Sequence, residues 1–232
     1  PKPMVPFLGK PLLEHLVKKL VDQGFIKLIF LTGYLHNVIE DYFGDGSSFG
    51  AEIQYSCELE PLGTARATAN ASNFFKDEFI LLYGDVVIEF NLNRFLKTAR
   101  ENKGHGTLVV HPNDHPFDSD LVVCKNNSTK IEKFLSKPHP NDLKARNLVN
   151  AGLYYLKREI LDVIPNDNFQ YDWGRDIFSI AINKGYELFS YRSSEYIKDI
   201  GTPDRLLKSE SLYKENKIYL KSIENKQKAI FL

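Results

Sequence analysis

Short apolar runs alternate with segments of helical period along the first half of the chain, and this alternation constrains the fold more than any other feature of the sequence. Leu13, Leu16, Val17, Leu20 and Val21 recur at helical spacing, and Gly24 follows as a residue able to end the helix at positive φ. Ile26–Leu31 reads as a strand buried on both faces, His36–Phe43 as a short helix, and Gly44–Gly50 as a turn. Ala51–Cys57 alternates as a strand, Thr64–Phe74 is alanine-rich and helical, and Glu78–Tyr83 is a buried strand ending at Gly84–Asp85. A helix over Asn91–Asn102 and a strand over Gly106–His111 continue the rhythm. Elements in this order build an α/β sandwich: a mixed, mostly parallel sheet with helices on both faces. Ligands of such a sheet sit at the carboxyl ends of its strands.

Beyond this point the strands shorten: Leu121–Lys125, Lys130–Phe134 and Val149–Leu156. A helix over Asp172–Lys184, a strand over Glu187–Tyr191 and a closing helix over Thr202–Glu215, with Pro203 in its first turn, follow. One domain over residues 1–212 is expected, with residues 213–232 as a lysine-rich linker and the start of a second domain. Pro1-Lys2-Pro3 has no strand ahead of it, although a sheet of this kind begins with one. Lys and Arg number 30, as do Asp and Glu, so no positive field exists to hold nucleic acid. Cys57 and Cys124 lack metal-ligand spacing and form no disulfide framework. No apolar run reaches the roughly 20 residues that cross a bilayer. A soluble cytoplasmic enzyme of small molecules is expected.

Several residues stand where chemistry is feasible. Asp85 closes an apolar run at a Gly-Asp step, which suits a metal or phosphate ligand and equally a helix cap. Asp199 is flanked by apolar residues and followed by Gly201-Thr202-Pro203; a buried acid needs a partner, either a cation or a neighbouring Lys198 or helix end. Together, Asp85 and Asp199 suit Mg²⁺, which takes one or two carboxylates and completes its shell with water and phosphate. Lys2 and Lys137 each precede a proline, which favours extended backbone and a projecting ammonium group suited to phosphate, although Lys-Pro pairs also stand on surfaces merely solvated. Glu58 and Glu60 precede a Gly63-Thr64 helix entry; a carboxylate there complements the paired donors of guanine, or simply favours the helix start. Asn150-Ala151-Gly152 interrupts an apolar strand, leaving room for a sugar or marking a bulge.

Pro1-Lys2-Pro3, Glu60-Pro61-Leu62-Gly63-Thr64-Ala65, Gly84-Asp85, Lys137-Pro138, Asn150-Ala151-Gly152 and Asp199-Ile200-Gly201-Thr202-Pro203, in this order, resemble the sugar-1-phosphate nucleotidyltransferase family from Lys2 to about Leu212. The similarity runs toward enzymes that make GDP-mannose or GDP-heptose. The resemblance implies a Rossmann-like three-layer sandwich, the nucleotide-diphospho-sugar transferase fold, here without its N-terminal strand and glycine-rich phosphate loop. It implies Lys2, Asp85 and Asp199 as catalytic residues, with Mg²⁺ on the two aspartates. Glu58, Glu60, Gly63, Thr64 and Gly84 then surround the nucleoside triphosphate, with GTP favoured, and Lys137, Asn150, Gly152 and Asp120 surround the sugar 1-phosphate. The segment His111–Leu121 and the final Lys228–Leu232 are similar to bacterial fusions with a haloacid-dehalogenase-like phosphatase, in which a role in lipopolysaccharide synthesis and a possible homo-oligomer are implied. Rival readings are a thymidylyl- or uridylyltransferase, a non-catalytic nucleotide-sugar-binding regulatory domain, and a glycosyltransferase using Asp118-Ser119-Asp120.

Overall fold

The computed structural model describes residues 1–113, 115–140, 142–167 and 169–215; the proposed linker and second-domain start beyond 215 lie outside the described residues. After a ribbon of β1 (Pro6–Phe7) and β2 (Lys10–Pro11) come α1 (Leu12–Val21), β3 (Lys27–Thr32), α2 (His36–Phe43), β4 (Glu52–Cys57) and α3 (Thr64–Asn70). Then follow β5 (Glu78–Leu82), β6 (Val86–Glu89), α4 (Leu92–Glu101), β7 (Gly106–His111), β8 (Leu121–Cys124) and β9 (Ile131–Leu135). The chain continues through β10 (Val149–Lys157), α5 (Phe178–Asn183), β11 (Leu188–Arg192) and β12 (Tyr196–Asp199), and a helix covers residues 203–215.

The six-stranded sheet runs β11-β7-β10-β8-β9, with β5 also on β10. β7 and β11 are parallel, and β10 is antiparallel to β5, β7 and β8. Four strands therefore run one way, and β10 and β9 run against them. The sheet alternates cleanly between two cores. Val109, Leu153 and Tyr155 face α1, α2 and α4, while Leu108, Val110, Tyr154 and Leu156 face Trp173, Phe178 and Ala181. Period-two burial on both faces is what a sheet covered by helices requires.

α1 buries Leu12, Leu13, Leu16 and Val17 on one stripe. It ends where Gly24 adopts φ 89° and the Phe25 N–H reaches the Leu20 carbonyl at 3.0 Å. β3 pairs in parallel only with β4, and β5 only with β10 among the described residues. Their remaining edges border one cavity of about 1130 Å³ that follows both strands from Lys27 and Glu78 to Thr32 and Asp85, with Leu16 and Leu20 of α1 in its wall. β3 is half-buried over residues 28–31 and buried at Thr32, where the sequence suggested burial on both faces.

Four strands were not expected from local sequence: the two-residue β1 and β2, and the longer β6 and β12. β6 follows directly on Asp85 and pairs antiparallel with β12, so the Gly84–Asp85 step is an interruption between strands and not an exit to a helix. Asp172–Lys184 is helical, but it starts as a π-turn over Trp173–Ile177 before α5, a local widening often found beside functional sites. Lys2 also departs from the extended backbone expected before proline. Lys2–Met4 is a 3₁₀ turn, where Pro3 is tolerated because first-turn N–H groups have no intrahelical partner.

Leu153, fully buried at the centre of β10, and Leu207, 64% exposed, give a paired test. Leu153→Ala is expected to lower unfolding stability by about 2–5 kcal/mol and Leu207→Ala by less than about 0.5 kcal/mol in urea denaturation.

Candidate active site

The β6–β12 ladder sets the centre. Asp199 pairs in register with Val86, and the Ile200 N–H donates to the Asp85 carbonyl at 2.9 Å, so two acids far apart in sequence sit at one end of adjacent strands. Burial pushes the Asp85 carboxyl above its ordinary range; Lys2 partly offsets this, and the charge of Asp199 adds to it. Burial also raises Asp199, but the Arg205 guanidinium, donating to Oδ1 at 2.5 Å, outweighs it and holds that carboxyl below its ordinary range. One acid of the pair thus has a direct cationic partner, and the other has only the nearby charge of Lys2.

Hard oxygen donors of this kind fit a divalent cation, which would stabilise the ionised form of Asp85. Among the described residues no group of three or more His, Cys, Asp or Glu side chains gathers to hold a metal. A cation held by Asp85 and Asp199 would take its other ligands from water and substrate, as magnesium does more readily than structural zinc.

Lys2, Glu58, Gly63, Thr64, Gly84 and Asp85 line the carboxyl end of the cavity between β3 and β5. Glu58 leaves β4 with its N–H on the Thr32 carbonyl at 2.8 Å, and its Oε2 accepts the Leu62 N–H at 3.1 Å. Its side chain lies over Gly33, where a Cβ would meet Oε1 at 3.0 Å, and burial raises its pKa. Glu60 is exposed on the following turn, outside that lining.

Gly63 is held at φ 79° between two backbone bonds, Tyr171 N–H to the Leu62 carbonyl at 3.0 Å and Ala65 N–H to the Tyr171 carbonyl at 2.9 Å. A Cβ there would stand 2.5 Å from the Tyr171 oxygen, so only glycine fits. Thr64 is engaged structurally: its N–H and Oγ1 both donate to Asp172 Oδ1, at 3.1 and 2.9 Å, and Oγ1 accepts the Trp173 N–H at 3.1 Å. Gly84 makes only ordinary contacts, with Pro3 and Leu13 nearest.

The sugar-side candidates form a second group. Asn150 donates to the Tyr154 hydroxyl at 2.8 Å, and its N–H bonds the Asp120 carbonyl at 2.9 Å. Gly152, at φ 69°, makes the bulge in β10, and a Cβ would meet the Tyr83 ring at 2.9 Å. Asp120 Oδ1 accepts the Lys137 N–H at 3.1 Å while Oδ2 abuts Gly174. The Lys137 ammonium is exposed, donates to the Asp118 carbonyl at 3.3 Å and lies 3.7 Å from Asp118 Oδ1. Asp118 and Asp120 thus both engage Lys137, one at its ammonium group and the other at its backbone N–H, an arrangement unlike a paired metal motif.

The structure also places Tyr171, Asp172 and Arg205 in the site's framework. Only long-range pairing reveals the first two, whereas Arg205, in the first turn after Gly-Thr-Pro, had a local signal as a cation beside Asp199.

A model of the nucleotidyl transferase family matches residues 1–216. The chain is 31% identical over 218 residues to UTP–glucose-1-phosphate uridylyltransferase of Synechocystis, covering 88% of this chain and 56% of that protein. It is likewise 31% identical over 208 residues to mannose-1-phosphate guanylyltransferase of Mycobacterium tuberculosis, covering 88% of this chain and 56% of the relative. The chain therefore spans little more than half the length of these relatives. HddC from Yersinia pseudotuberculosis complexed with GMP-PN shares the fold at a TM-score of 0.76 and 23% identity, covering 92% of this chain and 90% of that one. No helix among the described residues is long and apolar enough to cross a membrane.

The opposite pKa directions at the centre carry a sign test. Asp85, raised when folded, contributes stability only when protonated: fully below the unfolded value of about 3.9, and lost as pH rises through its folded value. Asp199, lowered when folded, contributes stability above the unfolded value, lost as pH falls through its folded value. In metal-free thermal melts at neutral pH, Asp85→Asn is expected to raise Tm and Asp199→Asn to lower it, with both differences shrinking on acidification.

Proposed function

Because the chain belongs to the nucleotidyl transferase family, we propose that it joins a sugar 1-phosphate to a nucleoside triphosphate, GTP by preference, releasing pyrophosphate and forming a nucleotide sugar. The observation that carries this reading is the convergence of Lys2, Glu58, Gly63 and Asp85 on one cavity whose end abuts Asp199.

A phosphate oxygen of the sugar 1-phosphate attacks the α-phosphorus, a new P–O bond forms, and the bond from that phosphorus to the β-bridging oxygen breaks, so pyrophosphate leaves with the electron pair. Such transfers need positioning and charge neutralisation rather than a protein nucleophile. Asp85 and Asp199 would hold Mg²⁺, which would supply neutralisation of phosphate charge. Lys2 faces the triphosphate from the same cavity, and Lys137 takes the sugar phosphate. Asn150 and the bulge at Gly152 orient the sugar, for which mannose or heptose is the proposed choice, with a bacterial surface glycan as destination.

The preference for GTP rests on Glu58. Its carboxylate stands at the end of β4 beside Gly33, where it can accept from both N1–H and the exocyclic amine of guanine; uracil and thymine lack that donor pair. The names of the Synechocystis and M. tuberculosis relatives point to different bases, so the triphosphate is the decisive variable.

Pyrophosphate release by the whole protein, screened over GTP, UTP and dTTP with mannose and heptose 1-phosphates, tests the reading. GTP is expected to lead, and Glu58→Gln to cut kcat/KM for GTP by about 10-fold or more while sparing UTP. Asp85→Ala or Asp199→Ala is expected to abolish turnover while the protein stays folded. Wild-type turnover in either variant refutes the assignment of those carboxylates.

A further inference from the structure

Beyond the cavity the site continues as a chain of charges. Arg205 gives one arm, Nη1, to Asp199 at 2.5 Å, and its other, Nη2, lies 3.6 Å from Asp118 Oδ2. Asp118 Oδ1 in turn lies 3.7 Å from Lys137 Nζ. One carboxylate, its side chain 71% exposed, therefore stands between a guanidinium and an ammonium group at the edge of the candidate active site. Exposed ion pairs at such distances add little to stability.

The turn that carries Asp118 is nevertheless firmly built. Asn113 donates to Ser119 Oγ at 2.9 Å, Ser119 Oγ donates to the His115 carbonyl at 3.0 Å, and His139 Nε2 is 2.7 Å from the Ser119 carbonyl. Ser119 is buried, so the turn is anchored immediately beside the exposed acid. A rigid turn that contributes a weak ion pair fits a placement role better than a stabilising one. The charges it separates, an Arg fork and a Lys, are the pair that commonly recognises phosphate oxygens.

We propose that Lys137 and Arg205 form a two-cation clamp for a phosphate monoester, and that the Asp118 carboxylate fills the clamp as an exchangeable internal counter-ion until ligand displaces it. The phosphate dianion brings more charge and more acceptor oxygens than the carboxylate it replaces. Free phosphate must displace Asp118 with no other gain, whereas a sugar 1-phosphate adds contacts through its sugar. Asp118 on this account lowers both affinities alike by competition, so it sets a threshold that the ligand with added sugar contacts clears and free phosphate does not. Naming the sugar 1-phosphate as ligand rests on the proposed transferase reading; the clamp itself does not.

Isothermal titration calorimetry with inorganic phosphate and with mannose 1-phosphate, in the absence of nucleotide and metal, tests the inference. Asp118→Asn is expected to tighten both by about 10-fold, a gain that misfolding cannot produce, and Arg205→Gln to weaken both by about 10-fold or more. Unchanged or weaker binding in Asp118→Asn, or wild-type binding in Arg205→Gln, overturns the clamp. Equal affinity for the two ligands in Asp118→Asn overturns the sugar-phosphate assignment. Failure to release pyrophosphate with these shifts intact removes the transferase reading alone, and normal turnover with neither shift removes the clamp alone.

Discussion

The antiparallel pairing of Val86–Glu89 with Tyr196–Asp199 is the contact on which the candidate site depends. It is a short ladder, yet it joins the end of one strand run to the last strand of the chain and sets two carboxylates side by side. Like charges brought together in a partly desolvated place disfavour ionisation, and the fold answers asymmetrically, giving Arg205 to Asp199 and leaving Asp85 with only the field of Lys2. A pair of acids of which only one has a direct cationic partner is one that a divalent cation would relieve, as the proposed metal-assisted transfer requires.

The framework around that pair explains why the neighbouring residues are small or fixed. Gly63 has no space for a side chain because Tyr171 pairs on either side of it, and Gly152 has none because Tyr83 lies against it. Thr64 and Asp172 tie α3 to the π-turn, with the Trp173 indole donating to Thr68 Oγ1 at 3.1 Å behind them. These contacts hold the Gly63–Thr64 turn against the second core, so the end of the sheet that carries the candidate site is positioned by packed elements and not by a free loop.

Much of this was legible in the sequence because it is local. Helical periodicity located α1 and α4, apolar runs located β5, β7 and β10, the end of an apolar run at Gly84–Asp85 marked that acid as a candidate ligand, and the apolar flanks of Asp199 marked it as an acid in need of a partner. What local pattern could not carry was pairing. β6 and β12 are only four residues each, and their ladder exists through contacts distant in the chain. The same limit applies to Thr64, whose hydroxyl looks available in a Gly-Thr motif but is taken by Asp172, and to Glu60, which looks equivalent to Glu58 but points to the exposed side of its turn. Asp118 was noticed only as half of an Asp-x-Asp motif; that its partners are Lys137 and Arg205 depends on a turn folding back over the sheet.

The seating of β3 and β4 has a mechanical meaning. The two strands pair in parallel from Lys27 and Glu52 to Thr32 and Cys57, and their apolar side chains share one core with α1, α2 and α4. A packed interior leaves little slack between side chains and so transmits displacement; a shift in the seating of α1 or α2 is therefore passed along β4 to the turn that begins at Glu58.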